Sequence, residues 1–209
     1  MNIKDIQNQI LSDDDFVLSE TRKILYLYGL KKEIRYALER PESIGTESVA
    51  DHVYAMHVLA TYFLPLEDTE KQMDWQKIYE MITYHDIDEV ETGDMIGYLK
   101  TDAIRAAEKL AAQRVIERSP TVIKNNIEAT LQEYEALTTK EALFVKAIDR
   151  IEPTFHLYCE DGKKIFHKNK TTRAQSDGIK KPYVKDYLYL NRFFEVIGEQ
   201  FEKEGFYAT

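Results

Sequence analysis

TESVADHVYAMHVLATYFL, residues 46–64, decides the fold. Val49, Val53, Met56 and Ala60 recur at three- and four-residue spacing, which makes one side of a helix apolar. Thr46 or Ser48 can cap its start, and acids stand in its first turns, where the helix dipole favours negative charge. His52 lies on the same side, three residues after Val49 and four before Met56. A histidine there is either a core residue bonded to a backbone carbonyl or a ligand for a cation. His57 falls about 140° further around the helix, so one cation can hardly take both.

Outward from this helix the same periodicity recurs. Helices are expected at 3–11 and 16–30, the second with Phe16, Leu18, Ile24, Leu25 and Leu27 on one side. Others are expected at about 74–84, 101–118, 121–136, 139–158 and 183–204, with Pro120 and the Thr138–Thr139 pair marking boundaries. The last carries Tyr187, Leu190, Phe194, Ile197 and Phe201 toward the core. Residues 31–45, polar and holding Pro41 and Gly45, read as a loop. Residues 160–182 are rich in Lys, Arg and Gly and are expected to form a basic loop, either functional or disordered. The chain is predicted to be all-α and a single domain over 1–209.

Composition limits the function. The 209 residues are 44% hydrophobic and 31% charged, and only 8 Gly and 5 Pro occur, which favours long helices over many short strands. A net charge of −9 argues against a broad nucleic-acid surface. The most apolar stretch, VLATYFLPL at 58–66, is far shorter than the roughly 20 residues a membrane span needs. The single cysteine, Cys159, excludes an intramolecular disulfide. A cytoplasmic protein without nucleic-acid or membrane partners is expected. With 14 Tyr and 9 Phe, aromatic residues exceed what the core clearly needs, and such residues are enriched at subunit contacts.

A second stretch, YHDIDEVETGD at 84–94, crowds acids around one histidine. His85 and Asp86 are adjacent, and adjacent side chains converge on one ion only near a helix end, where Gly93 and the acid run place them. A solvated helix terminus is the alternative. Asp149 lies on the stripe Ala142–Val145–Asp149, where an acid is costly unless paired with Lys146 or Arg150, or bound to metal. His52, His85, Asp86 and Asp149 together offer two imidazoles and two carboxylates. Mixed nitrogen and oxygen ligands suit Mn, Co, Fe, Ni or Zn better than Ca. A cation would also relieve the acid crowding at 86–94.

The order H…HD…D, and the words RPESIGTESVADH (40–52), HDIDEVETGD (85–94) and EYEALTTKEALFVKAIDRIEP (133–153), resemble the HD-domain metal phosphohydrolases, in particular their 5′-deoxynucleotidase branch. The resemblance is strongest over 24–160. It implies a helical HD bundle with the metal site between helices, and one divalent transition metal on His52, His85, Asp86 and Asp149. It implies that Glu89 handles the catalytic water, that Arg35 holds substrate phosphate and that Asp94 lies near the sugar hydroxyl. Tyr36 stands where bacterial members of the branch carry a tryptophan that helps reject a ribose 2′-hydroxyl, so the sequence departs from the pattern there. No histidine lies between Asp86 and Asp149, which argues for a mononuclear centre. The implied activity is removal of phosphate from (deoxy)nucleoside 5′-monophosphates, by a homodimer. Hydrolysis of another phosphate ester, such as a nucleoside triphosphate or modified nucleotide, and a non-catalytic metal- or nucleotide-binding module stay open beside it.

Overall fold

The computed structural model describes residues 2–36, 41, 44, 47–95 and 100–208. Their helices are α1 (Ile3–Ser12), α2 (Asp14–Leu27), α3 (Val49–Glu67), α4 (Trp75–Tyr84), α5 (Glu89–Thr92), α6 (Asp102–Arg118), α7 (Lys124–Ala136), α8 (Lys140–His156), α9 (Glu160–Lys168), α10 (Arg173–Val184) and α11 (Leu188–Lys203). A short 3-10 turn, Tyr28–Lys31, follows α2. Among the described residues there is no strand, only one isolated antiparallel bridge between Ile34 and Ser48. The all-α expectation holds. No helix is long and apolar enough to cross a membrane among the described residues.

Caps set the helix starts. Ser48 accepts from the Asp51 N–H, and the Asp51 carboxylate accepts from the Ser48 N–H in return. That reciprocal pair satisfies two of the donors a helix start leaves free. Thr46, the other expected cap, lies outside the described residues, as do Glu39 and Gly45 of the 31–45 loop. Asp74, Thr101 and Thr139 cap α4, α6 and α8 in the same sense.

α8 is the axis of the bundle and packs against α3, α4, α7, α10 and α11. Phe144, Val145, Ile148 and Ile151 of α8 meet Met56, Ala60, Phe63 and Leu64 of α3, and Ile78, Met81 and Ile82 of α4. Burial of each larger side chain stabilises the fold by about 1.5–3 kcal/mol. The same layer fixes which side of α3 and α8 is internal, and therefore where His52 and Asp149 point. Leu190, Phe194 and Phe201 of α11 are buried as expected.

One expectation is overturned. The basic run 160–182 holds a helix, α9, and most of another, α10, rather than a loop. The expected C-terminal helix therefore starts at Leu188, because Tyr183 and Val184 close α10. In α9, acids fill the first turn and His167 and Lys168 the last, matching the helix dipole, while Ile165 and Phe166 are buried. Gly162 does not break this helix. A Cβ there would stand 2.0 Å from the Leu157 carbonyl oxygen, so glycine is what lets α9 fold tightly back on the end of α8. In α10 a Thr172–Gln175 capping box starts the helix, and its buried stripe is Ser176, Lys180 and Val184. Two of those three are polar, so hydrophobic periodicity is silent there.

Candidate metal centre and active site

The capping box at Ser48 starts α3 one turn before His52, which is fully buried. α4 ends at Tyr84, and the chain turns through 85–88 before α5. The His85 N–H still donates to the Met81 carbonyl, while the Glu89 N–H donates to the Asp86 carbonyl. This change of direction lets the neighbours His85 and Asp86 face one point. Asp149 arrives from the middle of α8.

The four side chains converge. His85 Nε2 lies 2.9 Å from Asp86 Oδ2. His52 Nε2 lies 3.8 Å from Asp86 Oδ2 and 3.7 Å from Asp149 Oδ1. The two imidazole centroids are 5.5 Å apart. His52 Nδ1 donates to Glu152 Oε2 at 2.7 Å, and His85 Nδ1 donates to the Ile82 carbonyl at 3.0 Å. Both partners only accept, so each Nδ1 carries the hydrogen and each Nε2 can present its lone pair to the shared centre. Both Nε2 atoms are buried without a hydrogen-bond partner. Such an orphan costs about 1–3 kcal/mol, and a cation is what these donors fit: imidazole nitrogens oriented by acceptors behind them, plus two carboxylates.

The electrostatics agree. Burial and Arg35 push the His52 pKa down, yet its contacts to Asp149 and Glu152 carry it up to about 9. The acids demand a positive charge at this point even at the expense of a buried imidazolium. Burial raises the Asp86 and Asp149 pKa values, but His85 on the first and Lys146 on the second more than reverse this, so both stay ionised. The ion pair considered for Asp149 exists as well. Lys146 Nζ lies 3.0 Å from Asp149 Oδ2, and the Tyr134 hydroxyl donates to the same oxygen at 3.1 Å. These contacts occupy Oδ2 and leave Oδ1 toward His52.

A cleft of about 1160 Å³ opens on this centre, and Glu89, Arg35, Tyr36 and Asp94 line it with His85, Asp86 and Asp149. Glu89 is buried, with Oε2 unpartnered. Burial, then Asp86 and Asp94, raise its pKa well above the ordinary carboxylate value. A buried carboxyl with raised proton affinity beside a cation centre suits proton transfer. Arg35 is also buried rather than a surface charge. Its Nε lies 3.6 Å from Glu47, its guanidinium 3.6 Å from Glu152, and a third nitrogen donates to the Tyr36 hydroxyl at 3.2 Å. Glu152 therefore joins Arg35 to His52.

Tyr36 adopts φ 57°, a left-handed backbone that costs a non-glycine residue roughly 1–2 kcal/mol. Its N–H donates to Asp94 Oδ2 at 2.8 Å, and its ring packs with Ile44, Leu157 and Phe166. Asp94 thus holds the turn that aims Tyr36 and still lines the cleft. The remaining histidines stand apart. His57 bonds Thr83 and stacks on Tyr79. His156 faces Glu47 at 3.3 Å, and His167 bonds the Gly205 carbonyl. Lys100 pairs with Glu108 at 2.7 Å.

Sequence reasoning missed Glu152 and Glu47. Glu152 carried a signal: it follows Asp149 by three on the same internal stripe of α8, where a second buried acid needs a partner. Glu47 precedes the helix cap and showed none. Burial and Glu152 push its pKa up to about 7 against Arg35.

The chain is similar to known proteins in sequence and in fold. The 5′-deoxynucleotidase HDDC2 of Dictyostelium discoideum is 31% identical over 133 residues, 60% of this chain and 66% of that protein, just under two thirds of its length. The 5′-deoxynucleotidase YfbR of Salmonella arizonae is 24% identical over 183 residues, 82% of this chain and 89% of that one. A Magnetospirillum magnetotacticum protein described as a predicted metal-dependent phosphohydrolase shares the fold, with a TM-score of 0.76 at 23% identity over 92% of this chain and 98% of its own. The profile of the HD domain family matches residues 28–189, well over half of the sequence, and the chain belongs to that family.

Proposed function

We propose that this HD domain is a metal-dependent phosphohydrolase that removes phosphate from (deoxy)nucleoside 5′-monophosphates. The observation that carries it is the convergence of two orphaned imidazole nitrogens with Asp86 and Asp149 at the floor of a cleft that also holds a buried, proton-avid Glu89. The relatives called 5′-deoxynucleotidases support the substrate class. His52, His85, Asp86 and Asp149 are the residues that would hold one divalent transition ion, Co, Mn, Fe, Ni or Zn. Bound there, such an ion supplies Lewis-acid charge neutralisation and acidifies water.

The chain's own groups do the rest. Glu89 accepts the proton of the water whose oxygen attacks phosphorus, as the bond from phosphorus to the 5′-oxygen breaks. The leaving 5′-oxygen takes a proton from solvent water in the open cleft and departs as the nucleoside, and Glu89 returns its proton to solvent. Arg35, fixed by Glu47 and Glu152, donates to phosphate oxygens. Tyr36 and Asp94 border the sugar, with Asp94 setting the Tyr36 backbone. We take residues 1–209 to work as one HD-type unit, in the cytoplasm and as a homodimer; the single cysteine and the apolar surface of α2 support the last two.

The test is phosphate release from a panel of deoxynucleoside monophosphates with added Mn²⁺ or Co²⁺. Glu89→Ala is expected to retain metal and lose roughly 10²–10⁴ of the rate. Absence of phosphate release from every monophosphate with every metal tried would reject the reading. The cleft exceeds the roughly 300–1,000 Å³ usual for small-ligand pockets, which favours a larger phosphate ester as the second reading. Product analysis with nucleoside triphosphates separates the two.

A further inference from the structure

Two cations that line the cleft, Arg150 of α8 and Lys180 of α10, have no part in this scheme. Lys180 is 6% exposed, sits on the buried stripe of α10 and lines the cleft. Its ammonium donates to Thr154 Oγ1 at 2.9 Å. Among the described residues no carboxylate comes within 4.0 Å of it. Arg150, near enough to repel it, lies against Tyr183 with 5.6 Å to the ring centroid. Arg150 Nε is buried without a hydrogen bond and stands 3.9 Å from Asp149 Oδ2. A buried ammonium whose carboxylates, Glu152 and Asp177, act only from beyond ion-pair distance, beside a second cation, is costly. Desolvation lowers the Lys180 pKa to about 8, which still leaves it mainly charged at neutral pH. The inner stripe of α10 thus carries Ser176 and Lys180 where packing alone would favour apolar side chains.

We propose that the α8–α10 wall is an anion subsite in which Lys180, supported by Arg150, binds a phosphate group of the ligand. A dianion answers both cations at once, and Arg with Lys suits phosphate geometry. The phosphohydrolase reading supplies only the identity of the anion; the subsite stands on Lys180 and Arg150. The competing role is purely internal, with Lys180 balancing Glu152 at longer range.

Titration calorimetry of the metal-loaded protein with inorganic phosphate tests it. Lys180→Met is expected to bind phosphate about tenfold more weakly, with unchanged metal content by elemental analysis. Lys180→Arg recovers part of the affinity. A nucleoside triphosphate, which carries phosphates beyond the one placed at Arg35 and the metal residues, loses affinity by the same factor. A folded, metal-loaded Lys180→Met that binds phosphate like the parent overturns the proposal, and so does loss confined to the nucleotide. Should Lys180→Met fail to fold, ¹³Cε-lysine spectra of the parent decide. The Lys180 resonance, identified by its absence in Lys180→Arg, moves on phosphate addition if the proposal holds and stays fixed if it fails. Phosphate binding at Lys180 without hydrolysis of any monophosphate would sink the functional reading and leave the subsite standing.

Discussion

Among the described residues, polar atoms around His52 are buried without a hydrogen-bond partner, while along α2 apolar side chains face solvent. His52 Nε2, His85 Nε2 and Glu89 Oε2 have no hydrogen-bond partner. On α2, Val17, Leu18, Ile24 and Leu25 are exposed, and the helix has no buried residue. Neither region is explained by the stability of one chain. Each points to something absent from it, a cation in the first case and an apolar surface in the second. The energies differ in scale. Three buried orphans cost several kcal/mol together, whereas single exposed leucines cost little.

The largest effect should come from the interior. Asp149→Ala removes the α8 carboxylate that faces His52 Nε2 and also frees Lys146. We expect loss of bound metal and a fall in phosphate release of about 10³-fold, the rate equivalent of several kcal/mol of lost charge stabilisation. Metal analysis and an activity assay on the same preparation check it. Full metal content with near-parent activity would show that the orphaned nitrogens serve something other than a cation.

How far these two regions were legible differs for a physical reason. The four candidate ligands are legible because each breaks a pattern: His52 and Asp149 interrupt apolar stripes, and His85–Asp86 ends one. Glu152 and Arg35 share that buried network, but Arg35 stands in a loop, where no periodicity exposes a buried residue. α9 and α10 are hidden in the sequence because the usual signals run backwards there. Gly162 serves a close approach of α9 to α8 rather than a break, and the inner stripe of α10 is Ser176–Lys180–Val184. A helix that faces a polar cleft hides from any method that looks for an apolar side. On α2 the apolar side was plain in the sequence, but periodicity reports that a face exists and not what covers it.

A smaller effect, in pH, sharpens the interior half of the comparison. In the metal-free protein Glu47 is raised to about 7 by burial and Glu152, and Asp88 to about 7 by burial and Asp86. His52 stands at about 9. All three hold protons in the folded state more tightly than in the unfolded chain. The stability they contribute is complete below their unfolded values and is lost as pH rises through 7 for the acids and toward 9 for His52. His57 and His156, lowered by burial, act oppositely, but below about 6.5, their ordinary value. Lys180, lowered to about 8, acts oppositely only above that pH. Between pH 6.5 and 8 the metal-free protein should therefore lose a few degrees of Tm, at about 2–4 °C per kcal/mol. Metal requires deprotonated ligands, so its stabilisation should grow over the same interval. Circular-dichroism melts of stripped and reloaded protein check both signs. A stripped protein whose Tm rises from pH 6.5 to 8 contradicts the proton-avid interior.

The smallest effect on the single chain, and the one that breaks the other half, lies on α2. Leu18 and Leu25 are seven residues apart on one face and 51% and 58% exposed. α2 is held to its own chain on one side, by Glu20 at Thr121 and by Tyr26 at Glu91 and Arg118, yet it buries no residue fully, and isolated helices of this length are marginal in water. α3 presents a comparable stripe in Tyr54, Val58 and Tyr62, but its other side is anchored by Met56, Ala60 and Phe63. α2 therefore offers the wider uncovered apolar side, and a second copy of this chain is its proposed partner. Leu18→Lys with Leu25→Lys should change the stability of the single chain by no more than about 0.5 kcal/mol per site. It should leave metal content and monophosphate turnover near parent values and shift the mass measured by light scattering from dimer to monomer. The matching pair Tyr54→Lys and Tyr62→Lys on α3 should leave the dimer intact. If instead the α3 pair dissociates the protein and the α2 pair does not, the exposed side of α2 is ordinary surface, and the parallel between the unsatisfied interior and the uncovered helix fails at its second term.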